Sequence, residues 1–193
     1  MPDESAIPTR SLTQPMSATD QTPTVPTPVA APIAAGAWRL DPARSSVEFH
    51  VRHFYGLMTV KGQFADYDGT LNLSAEPAVE LTLQAASLDT KMAKRDVHLR
   101  SGDFFDVEQH PQIRFRSDSA HLDGDTLTVH GQLHAAGRSI PLALDATVRE
   151  LDGELEIEAV TEADHRELGM TWSPLGILRA PSKLIVRGRL VRR

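Results

Sequence analysis

From Trp38 onward the chain alternates apolar and polar side chains with a period of two, in run after run. Val47, Phe49, Val51 and His53 alternate with Ser46, Glu48, His50 and Arg52. Val79, Leu81, Leu83 and Ala85 alternate with Glu80, Thr82 and Gln84, and Leu127, Val129, Gly131 and Leu133 with Thr128, His130 and Gln132. Residues 113–116, 140–148, 155–159 and 184–191 continue the pattern. Successive side chains of a strand point to opposite faces, so strict alternation predicts strands with one buried and one wet face. Asp68-Gly69, Asp123-Gly124-Asp125, Ala136-Gly137 and Asp152-Gly153 fall between the runs and read as hairpin turns. With residues 60–64 and 70–73 added, the reading is an all-β meander of about eight or nine antiparallel strands. That number suits a closed barrel or a sandwich.

Three stretches break the alternation. Residues 89–101 read as a helix, capped by Asp89 or Thr90, with Met92, Asp96 and Leu99 at helical spacing on one face. Gly102 ends it, and residues 103–106 read as a further helical turn. Residues 164–181, with Gly169, Pro174, Gly176 and Pro181, read as a long loop with one helical turn. Residues 1–36 hold seven prolines (Pro2, Pro8, Pro15, Pro23, Pro26, Pro28, Pro32) and few large apolar side chains, without a period. Such a segment cannot offset its ordering entropy by burial and is expected to be a disordered tail. The organisation is therefore a Pro/Thr-rich tail, 1–36, and one domain, 37–193, long enough to hold a core without staples.

Several chemistries are excluded by what the chain lacks. Without cysteine there is no disulfide framework, thiolate zinc site or cysteine nucleophile. A net charge of −6 and 5% aromatics argue against nucleic acid as a partner. No run reaches the roughly 20 apolar residues of a membrane span, and Asp3 and Glu4 stand where a signal peptide would be basic. The expectation is a soluble, cytoplasmic protein. His50 and His53 fall on opposite faces of a strand, and His130 and His134 share a face about 13 Å apart. Neither pair can chelate one ion at about 2 Å, so no metal is expected. No Gly-x-Ser-x-Gly elbow or Gly-rich phosphate loop occurs.

The inward faces are almost wholly apolar and include small residues: Val51, Gly62, Ala85, Val129, Gly131, Ala146 and Ala159. An eight-stranded barrel is at the size where the interior is either filled or holds one small ligand. A cavity of that kind selects long apolar molecules.

The chain resembles the YceI-like family of polyisoprenoid-binding proteins over about residues 38–190. The matches run in order: Trp38-Arg39-Leu40-Asp41; Ser45-Ser46-Val47-Glu48-Phe49; His53; Gly62-Gln63-Phe64; Asp68-Gly69; Ser87-Leu88-Asp89-Thr90; and then Arg95-Asp96-Val97-His98-Leu99-Arg100-Ser101. Asp103-Phe104-Phe105-Asp106, His110-Pro111, Phe115, Ser117, Gly131-Gln132-Leu133, Gly137 and Pro141 follow. The resemblance implies a bacterial, lipocalin-like antiparallel barrel of about eight strands with one helix packed across it. It also implies an isoprenoid chain along the pore, and no agreed catalytic residues. The chain departs where Leu168 stands at a position the family often fills with Phe, and in its Pro-rich acidic tail where many members carry a signal peptide.

The expected function is binding of a long apolar lipid, a polyisoprenoid or isoprenoid quinone, as carrier or store. No cofactor is required beyond that lipid, and a homodimer is the candidate assembly. Phe49, Val51, His53, Phe64, Leu81, Leu83, Met92, Leu99, Phe104, Phe105, Phe115, Val129 and Leu144 are the candidate pore lining. Arg95, His98 and Arg100 are candidate head-group contacts. The alternative is an enzyme on an apolar substrate, using His98, His53 or Asp96 at the pore mouth. Convergence of titratable groups with strongly shifted pKa values would mark it. A third reading is an interaction module whose tail recruits partners.

Overall fold

The computed structural model describes residues 33–53, 57–172 and 178–193, with the side chains of residue 53 and of residues 178–180 also left out. The tail expected over 1–36 therefore lies outside the described residues up to position 32. Residues 33–35 have no regular secondary structure, Ile33 and Ala34 pack against the core, and Gly36 opens the first strand. In chain order the elements are β1 (Gly36–Leu40), β2 (Ser46–His53), β3 (Met58–Phe64), β4 (Tyr67–Leu73), β5 (Ala78–Gln84), β6 (Leu88–Asp89), α1 (Ala93–Arg100), β7 (Gln112–Asp123), β8 (Thr126–Ala135), β9 (Arg138–Leu151), β10 (Glu154–Ala163) and β11 (Leu178–Arg192).

Eight strands close into an antiparallel barrel in the order β1-β4-β5-β7-β8-β9-β10-β11, because β1 pairs with both β4 and β11. The long β11 makes closure possible. Its end, Leu190–Arg192, pairs with β1, while residues 178–187 pair with β2, which carries β3 and β6 beyond the ring. Proline at 181 lies inside β11, at an irregularity between Arg179 and Lys183. The expected loop is thus confined to turns over residues 164–169 and to residues up to 177, of which 173–177 lie outside the described residues.

The turn chemistry held at three of the four sites. Ala136-Gly137 and Asp152-Gly153 have positive φ at both central residues, as two-residue hairpins require, and Gly124 has φ +61°. Asp68-Gly69 differs: it lies inside β4, and the chain turns instead at Ala65 and Asp66. Gly69 is there for space, since a Cβ would stand 3.2 Å from Leu81 and 3.3 Å from Leu40.

The helix is shorter than the sequence pattern suggested. Asp89 pairs with Gln63 in β6, and α1 starts only at Ala93, after Met92, which supplies no side-chain cap. Residues 103–106 form turns rather than another helical turn. Eight residues are too few for an isolated helix to be stable in water, and α1 is held by side chains. Buried Asp96 accepts hydrogen bonds from the Thr90 amide (3.0 Å) and hydroxyl. Arg95 donates to the Thr90 hydroxyl and carbonyl, both at 2.7 Å. Arg100 donates to the carbonyls of Ala86 (2.9 Å) and Leu88 (2.6 Å). The helix lies at the barrel end formed by the starts of β7, β9 and β11 and the ends of β8 and β10.

Candidate functional site: an apolar pore closed at one end

The inward faces meet around a cavity of about 310 Å³. Its wall takes alternate residues from strand after strand: Phe49 and Val51 from β2, Leu81 and Leu83 from β5, Ile113 and Phe115 from β7, Val129 and Leu133 from β8, Leu142 and Leu144 from β9, Ala159 from β10. This is the geometry that period-two alternation imposes once the sheet closes.

The two ends differ. Trp38, Val148, Leu155 and Leu190 are buried and outside the cavity wall. Their pairings, Trp38 with Leu71, Leu155 with Leu190 and Val148 with Ile157, put them at the end bearing the β7–β8 and β9–β10 turns. There they plug the barrel. At the opposite end the wall is made by α1 and the turns after it and after β10: Leu99, Phe104, Phe105, Leu168, Met170 and Trp172. Phe105 meets Phe64 and Phe49 edge-on at 6.0 and 6.5 Å, spacings at which aromatic pairs attract. His98 packs edge-on against Trp172 at 4.2 Å and Phe104 at 5.2 Å, and its Nε2 lies 3.0 Å from Asp103. Trp172 is 42% exposed, so this cluster stands between the cavity and solvent.

Of the residues singled out from sequence, Phe49, Val51, Phe64, Leu81, Leu83, Leu99, Phe104, Phe105, Phe115, Val129 and Leu144 are on the wall, as are Arg95 and His98. Two are elsewhere. Met92 is 55% exposed and off the wall, because the helix starts after it rather than through it. Arg100 is also off the wall, its guanidinium taken by the carbonyls of Ala86 and Leu88. His53 lies in β2 paired with Leu178 and Met58, and its side chain lies outside the described residues. The small residues divide in a way alternation alone cannot show. Val51, Val129, Ala146 and Ala159 border the cavity, whereas Gly62, Ala85 and Gly131 do not. At Gly62 the space is filled by the Phe49 ring, 2.2 Å from a built Cβ, and at Gly131 by the Arg116 carbonyl at 2.3 Å.

One wall feature escaped the sequence reading. His165 Nδ1 lies 3.0 Å from the hydroxyl of Ser182, which is 6% exposed, and both line the cavity. Burial lowers the His165 pKa below its usual 6.5. The carboxylate of Asp164 opposes this and the charge of Arg166 reinforces it, so the imidazole is neutral near pH 7. The two residues are 17 apart in sequence, on a turn and on a strand whose first residues, up to 181, the sequence pattern reads as loop, and no spacing rule joins them. Among the described residues no group of three or more His, Asp or Glu could hold a metal ion. No helix there is long and apolar enough to cross a membrane.

The YceI-like domain model matches residues 38–186, and the chain belongs to that family. A UPF0312 protein of Pectobacterium atrosepticum is 40% identical over 105 residues, 52% of this chain and 54% of that protein. Protein YceI of Escherichia coli O157:H7 is 38% identical over 104 residues, with the same coverage. The matched stretch spans about half the length of these curated relatives. Among solved structures, Burkholderia cenocepacia BcnA superposes with TM-score 0.72 at 16% identity, over 79% of this chain and 99% of that one. A domain from Saccharophagus degradans described as polyisoprenoid-binding superposes with TM-score 0.67 at 10% identity, over 83% of this chain and all of that one. The fold is therefore the YceI fold: a closed eight-stranded barrel with added strands and a helix.

Proposed function

We propose that this YceI-like chain binds one long apolar lipid, of the polyisoprenoid class, in the barrel pore and acts as a carrier or store rather than as an enzyme. The observation that carries the reading is the cavity: an apolar wall drawn from every barrel strand, plugged at one end and bordered at the other by an aromatic cluster and a short helix. Each ligand methylene transferred from water to such a wall contributes about 0.8 kcal/mol, so a chain of several isoprene units binds tightly without a charged contact. The polyisoprenoid-binding description of the Saccharophagus degradans domain supports the class of ligand.

The enzyme reading has less behind it. Asp96 is committed to Thr90, and His98 pairs with Asp103 beside Trp172. Native mass spectrometry of the purified full chain, followed by organic extraction, tests the proposal. The expected result is a bound species of lipid mass that extraction removes, or uptake of added polyprenol at one molecule per chain. Protein that is empty and takes up no polyprenol contradicts it.

A further inference from the structure

We propose that His165 and Ser182 form a neutral hydrogen-bonding subsite inside the pore, and that it selects lipids whose polar end is an uncharged oxygen, such as an alcohol or a quinone carbonyl, over the same chain ending in a diphosphate. This rests on the lipid-binding reading above and adds the chemistry of the ligand's head.

The charged and aromatic-ring polar groups on the wall are mostly engaged by residues of the protein. Glu48 and Glu80 alternate with the inward-facing Val47, Phe49, Val79 and Leu81, so their carboxylates lie on the outer face, paired with His50 at 3.2 Å and Arg116 at 3.4 Å. The Arg95 guanidinium is held by Thr90, and His98 meets Asp103. In the His165–Ser182 pair both partners border the cavity. The pair can be arranged in two ways. If the Ser182 hydroxyl donates to Nδ1, then Nε2 carries a hydrogen. If Nδ1–H donates to the hydroxyl oxygen, the hydroxyl hydrogen has no acceptor among the described residues and Nε2 accepts. Either way the pair offers one further hydrogen to a ligand oxygen without carrying charge.

Electrostatics point the same way. The one guanidinium on the described wall, that of Arg95, is already bonded to Thr90. A diphosphate brought there meets no uncommitted cation on the described wall and loses its hydration, which is costly for a charged group. An alcohol or carbonyl loses less and regains a hydrogen bond from the pair. The apolar residues around it, Ala163, Leu168 and Met170, are buried and keep water from competing.

The test uses one C20 isoprenoid chain in three forms: the alcohol geranylgeraniol, the matching hydrocarbon and geranylgeranyl diphosphate. Affinities are measured for the full chain, for Ser182→Ala and for His165→Phe, each first shown to be folded by circular dichroism. A net hydrogen bond is expected to favour alcohol over hydrocarbon by about three- to tenfold in the wild type, with the diphosphate weaker than the alcohol. In both variants the alcohol-to-hydrocarbon ratio should fall toward one. An unchanged ratio in both variants, or wild-type protein that prefers the diphosphate, overturns the subsite. Wild-type protein that binds none of the three overturns the lipid reading as well.

Discussion

The interior of this barrel is decided by single residues whose roles depend on what faces them. Gly131 and Gly62 have the smallest side chains on inward-facing strand positions, and alternation placed them correctly. The room they leave is nevertheless used by the protein, by a carbonyl of β7 at the Ser117–Ser119 irregularity and by the Phe49 ring. No property of the isolated sequence distinguishes that from room left for a ligand. Gly131→Ala should therefore destabilise the fold by about 1–3 kcal/mol, since the obstructing atom is backbone and cannot swing away. Gly102→Ala, with no atom within 4 Å of a built Cβ, is the control and should melt like the parent. Equal melting of the two variants would contradict the close approach of β7 and β8. His165 makes a separate expectation. Its folded pKa is depressed by burial, so below about pH 6.5 the unfolded chain binds more protons than the folded one. Its contribution to stability is fully present above that pH and is lost as pH falls. Denaturant unfolding between pH 7 and 5.5 should show a steeper loss in wild type than in His165→Phe. Identical slopes would show that the imidazole is not held neutral.

At the scale of elements, long alternating runs were legible and short elements were not. β8 to β10 emerged close to their observed places because a run of ten or more residues repeats the signal and their turns carry Gly at positive φ, whereas alternation marked only residues 113–116 of the twelve-residue β7. β6 is two residues long and carries no period. Its Asp89 looked like a helix cap because the same residue type suits a cap and a turn. The true anchor of α1 is Asp96 reaching back six residues to Thr90, which reverses the usual direction of capping, in which a residue before the helix accepts from its first amides. Asp96→Ala removes the acceptor and leaves the buried Thr90 amide without this partner, at a cost of about 1–3 kcal/mol. Amides of residues 93–100 should then exchange faster than those of β8 and β9, and the aromatic border at Phe104 and Phe105 should loosen with them. Exchange in 93–100 matching the wild type would show that Thr90 and Asp96 do not hold the helix.

At the scale of the whole molecule, alternation left barrel and sandwich equally open. What closes the ring is the double pairing of β1 and the fifteen-residue reach of β11 past both β1 and β2. Both depend on register between segments up to about 150 positions apart, which local pattern does not encode. The family motifs supplied that choice, and the residues around 178–181 were read as loop because Pro181 usually marks a break, whereas here it sits at a strand irregularity. Closure leaves a cavity bordered by Ala159, whose neighbour Val160 faces the outside of the same strand at 39% exposure. This pair gives the most direct test of binding inside the pore. Ala159→Trp should fill the cavity, at a stability cost of about 1–3 kcal/mol that leaves a folded protein to be verified by circular dichroism. Val160→Trp adds the same side chain to the outer face. In a titration with a long-chain polyprenol, Ala159→Trp should lose at least tenfold in affinity while Val160→Trp binds like the parent. Folded Ala159→Trp that binds polyprenol as tightly as the parent would contradict binding in the pore.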